Sequence, residues 1–246
     1  MNNFLPNKYT KWYYNIITSA KSTLTEGYTE KHHILPKSLG GDNSTNNLVL
    51  LLIPLIILAA LSVYSNTFNN SFVYDDYPLI VDNEGVRNLS LKSVTSSFTD
   101  RKFTSSLDDL SKDIWRPFAT TCFAIDYKLW KLDPRPYHIE NVLWHIADAI
   151  LVYLATLLIL ESPIAAFITS LVFAMHPVQA ESVTWISSRP NMIFLFFFML
   201  SFIFHIKNRK RGYSSLNYVL SVTFFTFSLF CKEMAITLPL VLMLLN

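Results

Sequence analysis

An uncharged run near the N-terminus constrains this chain more than any other feature. The run, LVLLLIPLIILAALSVYS, covers residues 48–65 and contains no Asp, Glu, Lys or Arg. A helix needs about 20 apolar residues to cross the hydrocarbon core of a bilayer. Pro54 lies near the start of the run, where a helix tolerates proline best. The run therefore predicts a membrane-spanning helix.

Similar apolar segments recur through a chain that is 51% hydrophobic and 15% charged, with a mean hydropathy of +0.31. Soluble domains carry about 25% charged residues. We therefore expect an all-α polytopic membrane protein of about six spans. Because the chain ends inside its last apolar segment, we also expect a C-terminally truncated protein. The five later spans are predicted at Asn141–Leu160, Ile164–Met175, Met192–Ile206, Leu216–Phe230 and Ala235–Asn246.

The first 50 residues differ in composition from the rest. They are mildly basic and rich in Asn and Thr, and apolar residues between Tyr9 and Leu24 recur at helical spacing. The stretch GYTEKHHILP predicts a strand, and GGDNSTNN is typical of a loop. We therefore divide the chain into a small α+β fragment, residues 1–50, and a membrane domain, residues 51–246.

The basic residues predict the orientation in the membrane. The densest cluster, KNRKR at Lys207–Arg211, lies in a short loop, where the excess of Lys and Arg marks the cytosolic side. Counting spans backwards puts the N-terminus in the cytosol and residues 66–140 outside, as a long loop. Within that loop, IWRPFATTCFAIDYKLWKL predicts a helix lying on the membrane or on the protein. The membrane would be the endoplasmic reticulum in a eukaryote and the plasma membrane in a bacterium.

This topology brings ten ionisable residues to the outer side, in loops or at span ends. Asp75 and Asp76 offer a general base, because repulsion between paired carboxylates separates their pKa values. Basic side chains could bind a phosphate, with Arg supplying bidentate geometry. Alternatively, each residue is an ordinary polar cap of a span. The phosphate-binding candidates are Arg116, His176, Arg189 and Lys232, and the others are His138, Glu140, Glu181 and Glu233.

Two further ionisable pairs need separate interpretations. His145 and Asp148 are three residues apart, so they share one face of the second span, where buried ionisable groups are costly and functional by default. The alternative for them is interhelical hydrogen bonding. Asp126 and Lys128, in the loop helix, are interpreted as a solvated face.

The stretch EKHHILPKSLGGDNSTNNLVL resembles the HNH (His-Asn-His) endonucleases. The resemblance implies that His32 is a metal ligand, that His33 activates water as general base, and that Asn47 orients His33. The family then continues into a polar helix that supplies the last ligand, whereas this chain continues into LLIPLIILAALSVY. We therefore expect an incomplete remnant, joined at about residues 48–53 to an unrelated membrane protein.

The membrane domain has its own resemblance, carried by NSFVYDDYPLIVDN, WRPFATTCFAIDYKLW, PYHIENVLWHIADAI, FAMHPVQAESVTWISSRPNMIF and CKEMAITLPLVL. In this order they resemble the membrane half of the transmembrane and TPR repeat-containing protein O-mannosyltransferases, which have the GT-C glycosyltransferase fold. The resemblance implies Asp75 or Asp76 as catalytic acid/base, with His176 and Arg189 near a lipid phosphate. His145 is grouped with these substrate-binding residues.

Three functions remain open from the sequence. The leading one is transfer of a sugar, by the resemblance mannose, from a polyprenyl- or dolichyl-phosphate carrier to protein Ser or Thr, without a cofactor or metal. The second is DNA cleavage by an HNH enzyme, which would need a divalent metal and nucleic acid. The third is an inactive fusion fragment. Clustering of Asp75, Arg116 and Arg189 around one cavity would favour the first.

Overall fold

The computed structural model describes residues 45–99, 116–210 and 212–243. The chain forms two compact units, Met1–Leu48 and Val49–Asn246, and the second contains almost all of the described residues. The strand predicted in GYTEKHHILP, the helix predicted before it, and both His32 and His33 lie outside the described residues.

The first described helix, α1, is Thr45–Tyr64 and contains Pro54. Its inward-facing residues are spaced four apart, which places them on one side of a helix. Ile56 and Ala60 are fully buried, whereas Leu58, on another face, is 61% exposed. A 3₁₀ turn, Ser65–Asn69, extends the helix at its C-terminal end. The predicted first span is thus confirmed as a helix with one packed face.

The longest helix, α5, is Pro134–Leu160. It begins at Pro134 because the Asp133 carboxylate accepts a hydrogen bond from the Arg135 N–H (3.1 Å) and proline is favoured in the first helical turn. The sequence predicts this span only from Asn141, so the first two turns of the helix fall within the predicted loop. The helix ends at Glu161, whose φ is 54°.

A broken helix follows. Helix α6, Pro163–Met175, is followed by a 3₁₀ turn at Pro177–Gln179 and a short helix α7, Ala180–Thr184. The two parts bend by 49° at the break. The break lies at Pro177 because a residue before proline is disfavoured in helical geometry.

The remaining helices complete the bundle. Helix α8 is Arg189–Lys210, α9 is Ser215–Cys231, and α10 is Leu238–Met243. A 3₁₀ turn at Ile186–Ser188 precedes α8, and another at Glu233–Thr237 precedes α10.

Three helical segments in the described part of the chain are long and apolar enough to cross a membrane. The broken α6–α7 segment makes a fourth if it counts as one span, and α9 and Glu233–Met243 are shorter apolar helices. Each of the six predicted spans therefore corresponds to an apolar helix. The chain is a multi-pass membrane protein, and the described part of the Val49–Asn246 unit is all-α. The three long segments are Leu51–Asn69, Pro134–Leu160 and Ile186–Lys210.

Small polar residues connect neighbouring helices. The Ser170 hydroxyl donates to the Ala149 carbonyl (2.7 Å), which ties α6 to α5, and the Ser201 hydroxyl donates to the Ser221 carbonyl (2.7 Å), which ties α8 to α9. Small residues at such contacts allow close approach of membrane helices. Because α5 and α8 meet both near their first turns and near their last turns, they run in the same direction.

The loop helix α4, Pro117–Trp130, packs on the protein. It shares a buried apolar cluster with residues 72–86 and the start of α5, whose members are Phe72, Ile80, Val86, Phe123, Ala124, Tyr137 and Ile186. The short helices α2, Glu84–Arg87, and α3, Leu91–Thr99, come before it. This cluster places residues 72–86 and α4 over the N-terminal ends of α5 and α8.

Candidate functional site

A cavity of about 170 Å³ lies at this loop-covered end of the bundle. Three of the predicted site residues line it: Asp75, Arg116 and Lys232. They come from three segments far apart in the sequence. The other lining residues are Leu79, Ala119, Thr120, Phe123, Trp185, Ser187, Ser188, Pro190 and Asn191.

The paired carboxylates Asp75 and Asp76 have different environments. Asp75 is exposed and lines the cavity. Asp76 is fully buried, and its carboxylate accepts hydrogen bonds from the Val73 N–H (2.9 Å) and the Ser187 N–H (2.8 Å). It therefore fastens the loop that carries Asp75 to the 3₁₀ turn before α8.

Burial is the main influence on the protonation of Asp76. It raises the pKa of this carboxyl, the two backbone N–H groups oppose the rise, and the charge of Asp75 adds a smaller upward contribution. Repulsion between the paired acids is thus present, but desolvation outweighs it.

Arg116 and Lys232 make the cavity attractive to anions. The Arg116 guanidinium lies 3.7 Å from the Glu233 carboxylate, which is largely exposed, and the Lys232 ammonium donates to the Asn191 side-chain oxygen. Burial, and then the nearby Arg116 charge, lower the pKa of Lys232. Because two cations repel each other here, a bound anion would relieve the repulsion.

Arg189 does not line the cavity. It is fully buried as the first residue of α8, behind the wall formed by its neighbours Ser188 and Pro190. Its Nε donates to the Asn141 side-chain oxygen (2.7 Å), and its Nη2 donates to the Tyr137 carbonyl (3.0 Å). The guanidinium is therefore bound by partners inside the protein.

Two carboxylates share the charge of Arg189. Nη1 contacts Asp126 directly and lies 3.2 Å from Glu140, and the guanidinium stacks against the Phe123 ring, 5.0 Å from its centroid. The interpretation of Asp126 as solvated is wrong, since the residue is 2% exposed, whereas Lys128 is exposed as expected. The helical pattern of the sequence identifies Asp126 as a polar residue, but it gives no sign that Arg189 is buried beneath it.

The protonation of Asp126 reflects this crowding. Burial raises its pKa, the Arg189 charge opposes the rise, and the neighbouring Glu140 carboxylate adds to it. With two acids facing one guanidinium, a proton on Asp126 would remove the excess negative charge.

Asn141 completes the support of the cavity wall. Its amide donates to the carbonyls of Val183 (3.3 Å) and Trp185 (3.0 Å), while its oxygen accepts from Arg189. The segment 183–191 is therefore held from behind by Asp76, Asn141 and the Arg189 network. We call this group of buried side chains (Asp76, Asp126, Glu140, Asn141 and Arg189) the anchoring layer.

The intramembrane pair separates into two different environments. The His145 ring hydrogen-bonds to the Ala174 carbonyl (Nε2 to O, 3.0 Å) and packs against Tyr64 and Phe173. His145 therefore forms the interhelical hydrogen bond of the alternative interpretation. Asp148 is fully buried, and neither of its oxygens has a hydrogen-bond partner among the described residues.

The other predicted site residues do not line the cavity. His138 is buried against the backbone of Asn70 and Ser71, near the end of α1. His176 is exposed, and its Nδ1 caps the following turn by accepting from the Val178 N–H (3.1 Å). Glu181 is exposed as well. In the part of the chain that the structure describes, no cluster of three His, Cys, Asp or Glu residues could hold a metal ion.

Several lining residues gave no signal in the sequence. Thr120 and Asn191 are polar residues within largely apolar helices, and Ser187 and Ser188 lie in the 3₁₀ turn before α8. Such small polar residues also occur wherever helices pack closely. Only the fold shows that they share a cavity with Asp75.

Comparison with known proteins confirms both resemblances. Residues 17–53 match the HNH endonuclease family model, and this range includes His32, His33 and Asn47. A larger part of the chain matches a different group of proteins. It is 28% identical to the human protein O-mannosyl-transferase TMTC3, over 78% of this chain and 21% of the relative.

Its curated relatives are protein O-mannosyl-transferases. The Drosophila melanogaster protein O-mannosyl-transferase Tmtc1 is 30% identical over 72% of this chain and 20% of the relative. The Caenorhabditis elegans protein O-mannosyl-transferase F38B6.6 is 32% identical over 71% of this chain and 25% of the relative. The chain thus spans a quarter or less of the length of these O-mannosyl-transferases. No solved structure matches it.

Proposed function

We propose that the Val49–Asn246 unit is a membrane mannosyltransferase that uses the Asp75 cavity. The observation that carries this proposal is the convergence of one exposed carboxylate and two cations, from segments distant in sequence, on a single cavity. The names of the relatives add the sugar. The proposed donor is mannose on a polyprenyl or dolichyl phosphate, and the proposed acceptor is a Ser or Thr hydroxyl of a protein.

The two cations suit the leaving group of such a transfer. When the bond between the sugar C1 and the phosphate oxygen breaks, the lipid phosphate gains negative charge. Arg116 and Lys232 would stabilise that charge, and charge stabilisation of this kind contributes most when the donors are already positioned. The first turn of α8 also borders the cavity, and helix N-termini favour anions. We propose that these groups suffice without a metal ion, so that EDTA leaves transfer unchanged.

Asp75 suits the attacking hydroxyl. A neutral Ser or Thr hydroxyl is a poor nucleophile, and the new bond between its oxygen and C1 requires loss of its proton. Asp75 would accept that proton as general base, because it is exposed to the cavity, whereas the Asp76 carboxylate is occupied by two backbone N–H groups. We therefore assign Asp75 as the base and Asp76 as its support.

The test is direct transfer. Membranes containing the full chain would be supplied with polyprenyl-phosphate [³H]mannose and a Ser/Thr-rich peptide, and peptide-bound label would be counted. We expect label above that of membranes lacking the protein, and mild base elimination should release it. Absence of transfer with both polyprenyl and dolichyl donors would contradict the proposal.

We also propose an orientation, with Lys207–Arg211 in the cytosol and the cavity on the opposite side. The support is the basic cluster at the end of α8, since α5 and α8 run in the same direction away from the cavity. Asn69 and Asn88, two exposed residues in Asn-X-Ser sequons, should then be open to glycosylation in a eukaryotic host, and Asn43 should not. Glycan on Asn43 alone would reverse the orientation.

The HNH match supports a second and different proposal, namely a nuclease fragment without DNA cleavage. Asn47 lies in the first turn of the apolar helix α1, Thr45–Tyr64. Between Asn47 and the end of this helix at Tyr64 there is no further His, Asn or Asp. A metal ion held by two His without a further ligand is under-coordinated. Metal-dependent nicking of plasmid DNA by the purified chain, lost in His33→Ala, would contradict this proposal.

A further inference from the structure

A second cavity lies at the end of the bundle far from Asp75. It has a volume of about 330 Å³ and lies between α5 and α8. Ile159, near the end of α5, and Ile206, Arg209 and Lys210, in the last turns of α8, line it. Along α8, Asn191 at the first cavity and Ile206 at the second are 15 residues apart, which is about 22 Å at 1.5 Å per residue.

The lining of this second cavity is apolar on one side and cationic on the other. Ile206 belongs to the core between the helices, and Ile159 is 42% exposed on the bundle surface. The cations lie where the apolar part of α8 ends, which is the depth of lipid headgroups in a spanning helix. A ligand that fits must therefore combine an apolar part with an anionic part.

Stabilisation of the helix end does not account for this arrangement. Basic residues in a last turn interact favourably with the carbonyl end of the helix. That explanation suffices for Lys207, whose ammonium lies over the Phe204 ring (5.4 Å from its centroid) and does not line the cavity. It does not explain why the next two cations border a space against α5.

A carboxylate already competes for one of the cations. The Lys210 ammonium lies 2.6 Å from the Glu161 carboxylate, whose side chain is 77% exposed. Exposed pairs of this kind are weak and are exchanged easily for another anion. Glu161 should therefore act as a competitor of any anionic ligand at Lys210.

We propose that this cavity binds the phosphate headgroup of an anionic membrane lipid. The phosphate lies at Arg209 and Lys210, and the acyl chains follow Ile159 down the surface between α5 and α8. Basic pockets between membrane helices near the cytosolic surface have this chemistry. The apolar wall favours a lipid over a soluble phosphate. The site is independent of the proposed transferase activity.

The test uses the purified full chain in a neutral detergent. Its melting temperature would be followed during titration with short-chain phosphatidylglycerol, phosphatidylcholine or glycerol 3-phosphate. We expect a saturable rise with phosphatidylglycerol only. Each basic side chain contributes about fivefold in affinity, so Arg209→Gln with Lys210→Gln should raise the half-saturating concentration about 25-fold.

Glu161→Gln should have the opposite effect on lipid affinity, because it removes the competing carboxylate. The proposal can therefore still be tested if the double variant does not fold. Glu161→Gln should lower the half-saturating concentration by up to about fivefold. Lys128→Gln with Lys131→Gln, which removes two exposed cations from the other end of the bundle, is the matched control and should change nothing. An equal response to phosphatidylcholine, a response to glycerol 3-phosphate, or an unchanged titration in both test variants would overturn the proposal.

Discussion

The cavity surface and the anchoring layer behind it contain the same kinds of side chain, but in opposite environments. Asp75, Arg116 and Lys232 face open space, and the contacts they do have are with exposed or neutral groups. Arg189 and Asp126 are buried and bound to each other. The first group is therefore free to contact a substrate, and the second holds the wall in place. Residue type does not separate these roles, whereas burial and partner do.

The largest expected effect comes from Asp75. A positioned general base contributes about 10²–10⁴-fold, so Asp75→Asn should lower the rate of mannose transfer by that factor. Because Asp75 is exposed, the melting temperature should stay at the parent value. Asp76→Asn should instead lower the melting temperature, because a buried acceptor of two N–H bonds is altered. If Asp76→Asn lowered the rate and Asp75→Asn lowered the melting temperature, Asp76 would be the base and Asp75 its support.

Loss of Arg189 should affect stability. Arg189→Met leaves Asp126 and Glu140 without their shared cation, and breaking a buried ion pair costs about 3–5 kcal/mol. The free energy of unfolding, measured in mixed micelles, should fall by that amount. Combining it with Asp126→Asn should recover part of the loss. If Arg189→Met is as stable as the parent and only weakens donor binding, then Arg189 belongs to the cavity.

Lys232 should have a smaller effect, because it contacts the donor phosphate both before and during bond cleavage. A hydrogen bond to a charged group contributes about 1.5–3 kcal/mol, so Lys232→Gln should lower kcat/KM for the lipid donor by about tenfold to a hundredfold. Lys232→Arg, which keeps the charge, should recover much of it. A loss of kcat at unchanged KM would show that the cation acts only in the transition state.

The pH dependence of stability should reveal Asp126. Burial raises its pKa in the folded protein above the usual 3.8, so the folded state holds a proton that the unfolded state has released. Stability should therefore fall as the pH rises from about 4 through the raised pKa. Asp126→Asn should flatten this fall. An unchanged pH profile in the variant would mean that Arg189 keeps Asp126 ionised.

The smallest effect on stability is expected at Lys128, which lies two residues after Asp126 in α4. Lys128 is exposed, and surface substitutions are usually within about 0.5 kcal/mol of the parent. Lys128→Gln therefore serves as the control for Asp126→Asn. A large change in stability here would mean that α4 has another partner.

The sequence was sufficient for the helices but not for the division between cavity and anchoring layer. Long uncharged runs predict spans because a bilayer requires them, and the positions of α1, α5 and α8 agree. Asp75, Arg116 and Lys232 were predicted as site residues and meet at one cavity. Arg189 was predicted with them, because a basic residue at a span end has the same local pattern whether it faces a cavity or a buried carboxylate.

Asn141 is a residue whose supporting role the sequence does not predict. The sequence predicts it as the first residue of a span, yet its side chain connects Val183, Trp185 and Arg189. The partners lie more than 40 residues away in the chain, and a single sequence contains no record of such contacts. The start of α5 is different, because Asp133 followed by Pro134 is a capping signal within the local sequence, although the predicted span begins only at Asn141.

The most direct test of the account is to locate the lipid donor on the protein. The full chain in membranes would be cross-linked with a polyprenyl-phosphate mannose that carries a photoreactive group next to the phosphate, and labelled peptides would be identified by mass spectrometry. The account predicts label within residues 116–123, within 185–191 or at Lys232, and loss of that label with excess unlabelled donor. Competed label confined to residues 206–210, at the opposite end of α8, would contradict it.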